Sequence, residues 1–152
     1  MLKARMNNPA MLVPDAMKAM LALAGSVQKA LPAKLLQLCH LRASQINGCG
    51  VCVDMATRHV NEGGETAQRL IAVSAWRDTP YFTDAERAAL ALTEALTRIS
   101  DRADPVPDDV WAEAARHHDE ATLAALVIEI AMTNMWNRLN VATRQIAGAQ
   151  SW

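Results

Sequence analysis

From Leu123 to Met132 the chain is apolar on nearly every side of a helix, and Glu129 is the one interruption. A helix that is apolar all round has no face to give to water, so it is buried inside a domain or in an interface between copies. The remaining segments follow the same period. Leu35, Leu38, Cys39, Arg42 and Ile46 fall on one helical stripe, apolar apart from Arg42. Thr83 and Glu86 have the spacing of a capping box ahead of Leu90, Leu92, Leu96 and Ile99. No segment shows the alternation of a strand. Ala, Leu, Met, Glu and Arg are plentiful while Phe and Tyr occur once each, a bias toward helix over sheet. The expectation is an all-α fold in one domain, 1–152. Helices are expected over 14–25, from Pro32 to about 46, from Cys49 to Gly63-Gly64, and over 65–76. Three more follow: one after Thr83, one over 108–117, and a last one from 119 or 120 to about 146.

Charge and hydropathy narrow the function. Fifteen basic residues face sixteen acidic ones, which gives no basic footprint for a nucleic acid. No apolar run reaches the roughly 18 residues of a membrane span. The start, Met1 to Met6, is basic, but Asn7, Asn8 and Pro9 follow too soon for the apolar core of a signal peptide. The chain therefore reads as cytoplasmic, with no membrane and no nucleic-acid partner. In a reducing compartment three cysteines, two of them in Cys49-Gly50-Val51-Cys52, point to redox or metal work before a structural disulfide.

A C-x-x-C at a helix start has a physical purpose. The first helical turn leaves backbone N–H groups unpaired and carries positive partial charge. Both favour a thiolate, which is the reactive form of cysteine. One sulfur can attack a peroxide or a disulfide, and the other can then resolve the sulfenic acid or mixed disulfide that results. Two plainer readings stand beside this one. The pair is half of a zinc site, although a second pair is missing and Cys39, His40 or His59 would have to complete it. Otherwise the two thiols are buried and inert. Cys39, on the apolar stripe, is expected to be buried and inert in any case. Met11, Met17 and Met20 are expected in the core or an interface, and His117 and His118 at the surface.

The residues from Leu41 to Met55, Leu-Arg-Ala-Ser-Gln-Ile-Asn-Gly-Cys-Gly-Val-Cys-Val-Asp-Met, resemble the core of the AhpD-like alkylhydroperoxidase branch of the carboxymuconolactone decarboxylase family. The resemblance continues through Gly64-Glu65, Ala75-Trp76-Arg77, Pro80-Tyr81-Phe82-Thr83 and Leu90 to Leu96, and ends in Trp136-Asn137-Arg138-Leu139-Asn140, of which Trp136, Asn137 and Asn140 are expected to pack and make polar bonds in the core or an interface, next to the cysteines. It implies an all-α fold that assembles into homo-oligomers, commonly trimers or hexamers. It also implies reduction of a hydroperoxide or disulfide by the cysteine pair, with no bound cofactor and no metal. Electrons would come from a dithiol protein or a small-thiol reductant. By this resemblance Cys52 attacks the oxidant and Cys49 resolves it; helix geometry alone does not choose between them.

Two positions depart from the family pattern. Gln37 stands where the family has a glutamate, twelve residues before the first cysteine, and Ala56 stands where it has a histidine, four after the second. Those two residues form the family's proton relay. A residue four positions after Cys52 lies one turn along on the same face, where a histidine can take and return the thiol proton and Ala56 cannot. Gln37 can hydrogen-bond but does not titrate. General acid–base help is typically worth ~10²–10⁴ in rate. Three substitutes are candidates: His59, seven residues after Cys52; His40, on the face of Gln37; and Glu129, a lone carboxylate among apolar neighbours. Each has a plainer reading, His59 and His40 as solvated side chains and Glu129 as the partner of Arg138 or Arg144 or as a residue facing a pore.

Three functions compete. The first is a peroxidase or thiol–disulfide oxidoreductase. The second is a decarboxylase-like enzyme acting on a small lactone acid, which would not need the cysteine pair. The third is a redox-sensing or structural oligomeric module with little turnover. Burial of both sulfurs with no titratable group near Cys52 would favour the third.

Overall fold

The computed structural model describes residues 2–61 and 64–149, and the side chains of His59 and Asn61 lie outside that description. Every regular element among the described residues is helical: α1 (Pro9–Leu12), α2 (Ala16–Ala30), α3 (Ala33–Asn47), α4 (Gly50–Asn61), α5 (Ala67–Ala72), α6 (Asp84–Thr97), α7 (Asp108–His117) and α8 (Glu120–Thr143), with 3₁₀ turns at Val73–Asp78 and Ile99–Asp101. None of the helices is long and apolar enough to cross a membrane.

Local chemistry explains most of the boundaries. Thr83 and Glu86 close the expected capping box, with Thr83 N–H donating to Glu86 and Glu86 N–H to Thr83. Asp119 caps α8 by accepting from Thr122 N–H at 2.8 Å. Three expectations need correction. The first long helix runs through Gly25 to Ala30, because a lone glycine costs a helix only about 1 kcal/mol and Leu31 and Pro32 supply the real stop. The segment expected as one helix over 65–76 is α5 followed by a 3₁₀ turn, with Ala75 outside helical geometry. The last helix ends at Thr143, where Arg144 turns left-handed at φ 53°. The Gly63 half of the expected Gly63-Gly64 stop lies outside the described residues.

Helix α3 is the hub, packed along α6 on one side and α8 on another. One apolar cluster joins Val27, Leu35, Cys39, Leu92, Leu126 and Ile130 between α2, α3, α6 and α8. A second joins Leu38, Leu41, Ala56, Leu70, Trp76, Phe82 and Leu90 between α3, α4, α5 and α6. The apolar stretch of α8 is buried on the faces carrying Leu123, Leu126, Glu129 and Ile130, while Ile128 keeps 41% of its surface exposed. Met11 is also exposed, so within one chain it is not a core residue.

Arg42 interrupts the apolar stripe of α3 because it is half of a clustered charge site. Its guanidinium donates to Glu94 of α6 through Nε at 2.7 Å and approaches it through Nη2 at 2.6 Å. Arg77 Nη1 donates to the other oxygen of Glu94 at 2.7 Å, and Trp76 Nε1 donates at 2.9 Å. Burial pushes the Glu94 carboxyl up, but these three donors outweigh it and hold the group below the usual carboxylate range. The cluster ties α3 to α6 one turn before the loop that carries the cysteines.

Candidate functional site

The turn between α3 and α4 places the cysteines. Gly48 sits in the left-handed region at φ 67°, which glycine adopts without a Cβ clash. Its N–H and that of Cys49 donate back to Gln45 O at 3.4 Å and Ser44 O at 3.0 Å, so α3 closes in the manner of a Schellman motif. The chain reverses, and Cys49 takes the cap position of α4. Its carbonyl accepts from Val53 N–H at 3.0 Å, and its Sγ accepts from Cys52 N–H at 3.3 Å. A thiolate at this position would receive the same bond with charge assistance.

Cys49 and Cys52 are joined as a disulfide, with their Cα atoms 5.4 Å apart. Both are nearly inaccessible, at 1% and 2% of their surface. A cavity of about 210 Å³ reaches Cys49 and not Cys52; it is lined by Gly48, Gly50, Val51, Asn140, Val141 and Arg144 among others.

The polar surroundings come from α8. Asn140 Nδ2 donates to Cys52 Sγ at 3.4 Å and lies 3.8 Å from Cys49 Sγ. Asn137 Nδ2 donates to Ser44 Oγ at 3.0 Å, and Asn47 Nδ2 donates to both Asn137 Oδ1 and Asn134 Oδ1 at 2.9 Å. Further up the same seam Thr133 Oγ1 donates to Glu129 Oε1 at 2.9 Å and lies 3.1 Å from His40 Nδ1. A row of polar side chains thus runs between α3 and α8 from Glu129 to Asn140.

Gln37 and the three substitute relay candidates fare differently. Glu129 is buried, at 1% exposure, but its neighbours are Thr133 and His40 rather than Arg138 or Arg144, which corrects the expected arginine pairing. Arg138 instead donates to Asn134 O, and Arg144 is exposed. His40 is not a freely solvated side chain: it bonds Thr133, and its Nε2 is buried without a partner, because α8 covers this face of α3. From Glu129 to Asn140 is eleven residues, about 16 Å of helix, and from His40 to the end of α3 is about 10 Å. Gln37 lies about 15 Å up α3, its Oε1 buried and unpartnered. Hydrogen bonds to the sulfurs, among the described residues, come from Asn140 and the Cys52 amide alone. The side chain of His59 lies outside the described residues. Ala56 faces the second apolar cluster, so the relay position is occupied by core packing.

Other expectations are settled by burial. Cys39 is inaccessible, and burial pushes its thiol up to about 12, so it is inert at neutral pH. His117 pairs with Glu113 at 3.1 Å, and His118 Nε2 lies 3.1 Å from Ala85 O, which takes His118 partly out of solvent. Asn8, Ser44 and Thr133 belong to the site's surroundings, and nothing in the sequence marks any of them for a role there, although Ser44 lies within the Leu41 to Met55 motif. Asn8-Pro9 has the pattern of a helix cap, and Asn8 indeed caps α1, but its neighbour across the fold is 132 residues away.

Comparison with known proteins identifies the family. Residues 14–95, which include the cysteine pair, match the model of the carboxymuconolactone decarboxylase family. The chain is 34% identical over 132 residues to the uncharacterized protein YdfG of Bacillus subtilis, covering 86% of this chain and 88% of that one. It is 34% identical over 101 residues to YnjA of Escherichia coli, an uncharacterized protein of which it spans about half, 54%. A crystal structure from Agrobacterium tumefaciens, of a protein of unknown function assigned to AhpD-type antioxidant defence, superposes with a TM-score of 0.88 at 34% identity over 97% of this chain and all of that one. The debrominase Bmp8 shares the fold, with a TM-score of 0.78 at 22% identity over 90% of this chain and 73% of its own. By the family match and the likeness to the Agrobacterium structure, the chain belongs to the AhpD-like branch of the carboxymuconolactone decarboxylase family.

Proposed function

We propose that this protein is a thiol–disulfide redox enzyme in which Cys52 meets the oxidant and Cys49 exchanges with a dithiol reductant. The observation that carries the reading is the placement of two sulfurs, already bridged, at the N-terminal turn of α4, with Cys49 alone lining the cavity. In the reducing half, a donor thiolate enters the cavity and attacks Cys49 Sγ. The Cys49–Cys52 bond breaks, and Cys52 leaves as a thiolate facing Asn140 Nδ2. A second donor thiolate attacks the donor sulfur of the mixed disulfide, releasing oxidised donor and the Cys49 thiolate. In the oxidising half, Cys52 thiolate attacks the terminal oxygen of a hydroperoxide, the O–O bond breaks, and the alkoxide leaves and takes a proton from solvent as Cys52 becomes a sulfenic acid; Cys49 thiolate then attacks the Cys52 sulfur, restoring the disulfide and expelling hydroxide, which solvent protonates to water. With a disulfide as oxidant, Cys52 attacks one sulfur, one thiolate leaves, and Cys49 displaces the other. We place the protein in a homo-oligomer, trimer or hexamer, in the cytoplasm, with no resident cofactor.

A specific observation favours a second reading, a redox-sensing module with little turnover. Both sulfurs are nearly buried, and neither is hydrogen-bonded to a titratable side chain among the described residues. Without acid–base help, peroxide reduction should be slow while disulfide exchange, which needs thiolates more than a proton donor, should persist. The test is turnover with dithiothreitol as donor and either cumene hydroperoxide or bis(2-hydroxyethyl) disulfide as oxidant. The enzyme reading expects turnover with at least one oxidant, lost at least 10²-fold in Cys52→Ser. A pair that cycles reversibly but turns over neither oxidant supports the module. A pair that dithiothreitol cannot reduce without unfolding the protein overturns both.

A further inference from the structure

The amide of Asn140 is held in one orientation by a segment at the other end of the chain. Asn8 is 9% exposed and Asn140 6%. Asn8 Oδ1 accepts from Ala10 N–H at 3.0 Å as the cap of α1, so its Nδ2 is left to face Asn140, and it donates to Asn140 Oδ1 at 3.3 Å. With its oxygen taken, Asn140 has only Nδ2 to turn toward the sulfurs. The segment before Asn8 is strapped onto the end of α8 by three more bonds: Arg5 N–H to Thr143 O at 2.9 Å, Arg5 Nη1 to Ala142 O at 2.9 Å, and Gln145 Nε2 to Met6 O at 2.9 Å.

We propose that Asn140 is a catalytic residue that stabilises the Cys52 thiolate as a donor that does not itself titrate, and that Asn8 is the positioning residue that keeps its N–H₂ aimed at sulfur. A free asparagine amide presents oxygen or nitrogen with similar ease, and its oxygen would repel a thiolate. The Ala10 N–H breaks that symmetry, and Asn8 passes the choice to Asn140. A neutral donor lowers a thiol's pKa by favouring the charged form, without supplying or accepting the proton as a histidine does. This goes with Ala56 and Gln37, at which no group titrates. The inference rests on the redox reading for its use in turnover, but the thiol property it predicts is measurable without turnover.

The test is the pH dependence of iodoacetamide alkylation of the reduced Cys39→Ala/Cys49→Ser protein, in which Cys52 is the one thiol left in the chain. In this background Asn140→Ala should raise the apparent pKa by about one pH unit, a roughly tenfold lower rate at pH 7. Asn140→Asp should raise it further, since a carboxylate opposes the thiolate. Asn8→Ser keeps an acceptor for Ala10 N–H and loses the amide donor to Asn140, so it should raise the pKa as well. Asn8→Gln, a longer amide, should recover part of the shift. A role for Asn8 as helix cap alone predicts no change in Asn8→Ser, which caps α1 without adding a charge or an amide donor. Helical circular dichroism and the unfolding midpoint of each variant separate a local effect from misfolding. Asn140→Ala or Asn8→Ser with native helicity and an unshifted profile would overturn the proposal. Failure of the unsubstituted protein to cycle between disulfide and dithiol would instead overturn the redox reading, leaving the alkylation result to stand or fall separately.

Discussion

Replacing Glu94 with alanine removes the acceptor for three donors at once, and the geometry sets the magnitude. Arg42 meets it at 2.6 and 2.7 Å with only 14% of its side chain exposed, so removing the carboxylate strands a largely buried guanidinium. Trp76 Nε1 loses a bond of 2.9 Å in the same apolar surroundings. Arg77 is 58% exposed and recovers most of its bond from water, so it adds little. Breaking a buried ion pair from one side costs about 3–5 kcal/mol, and the residual water access of Arg42 puts Glu94→Ala near ~3 kcal/mol. For a chain of this size that is a fall in Tm of roughly 6–12 °C. Glu94→Gln keeps one acceptor oxygen and should cost about half as much. The pH dependence has a definite sign. The folded pKa of Glu94 is below its unfolded value near 4.5, so its contribution is full above that value and lost as pH falls through the folded pKa. Urea unfolding at pH 7 and at pH 3 measures this directly, and the gap between wild type and Glu94→Gln should shrink at the lower pH. A Glu94→Ala loss under 1 kcal/mol at pH 7, or a gap that widens in acid, would refute the reasoning.

Three further outcomes follow from the site. In the Cys49→Ser/Cys52→Ser protein, Cys39 should resist iodoacetamide at pH 8 until denaturant is added, whereas labelling of the native state would show that it is not sealed. Ala56→His should destabilise by roughly 1–3 kcal/mol by overfilling the cluster of Leu38, Leu41 and Phe82, and in peroxide assays at saturating donor it should give little gain; a fast, stable variant would show that this position can open toward Cys52. Gly48→Ala meets no atom within 4 Å, so its cost should be the left-handed backbone alone, about 1–2 kcal/mol by chemical denaturation.

The helices with strong internal punctuation were legible in the sequence. Thr83 with Glu86, Asp119 with Thr122, and Asn47-Gly48 each mark a boundary through a bond made within five residues. The 3₁₀ turn at Val73–Asp78 was not, because its geometry follows from seating Trp76 and Arg77 against Glu94, a partner brought in by α6. The same distinction divides the site. Cys49 and Cys52 announce themselves by spacing. His40, Gln37 and Glu129 were singled out for titration or position on a face, and the structure sets them along the seam rather than at the sulfurs. What surrounds the sulfurs instead is a set of amides, and an asparagine's role depends on the atom opposite it, as the link between residues 8 and 140 illustrates.

Helix α8 raises a question of aim. Hydrocarbon side chains are nearly indifferent to a rotation of 100° about the helix axis, so an oily rod can seat against its neighbours in several ways of similar energy. The amides and hydroxyls of Thr133, Asn134, Asn137 and Asn140 are not indifferent, since each has a counterpart that a one-residue slip would leave empty. Their net contribution to stability is small, because each bond replaces one to water. Their contribution to uniqueness is large: they act as an index mark that selects one seating of α8 and excludes the rest. Replacing the whole row with well-packed leucine and alanine should therefore give a protein that stays folded, with a broadened spread of α8 orientations and a sulfur pair whose surroundings differ from molecule to molecule.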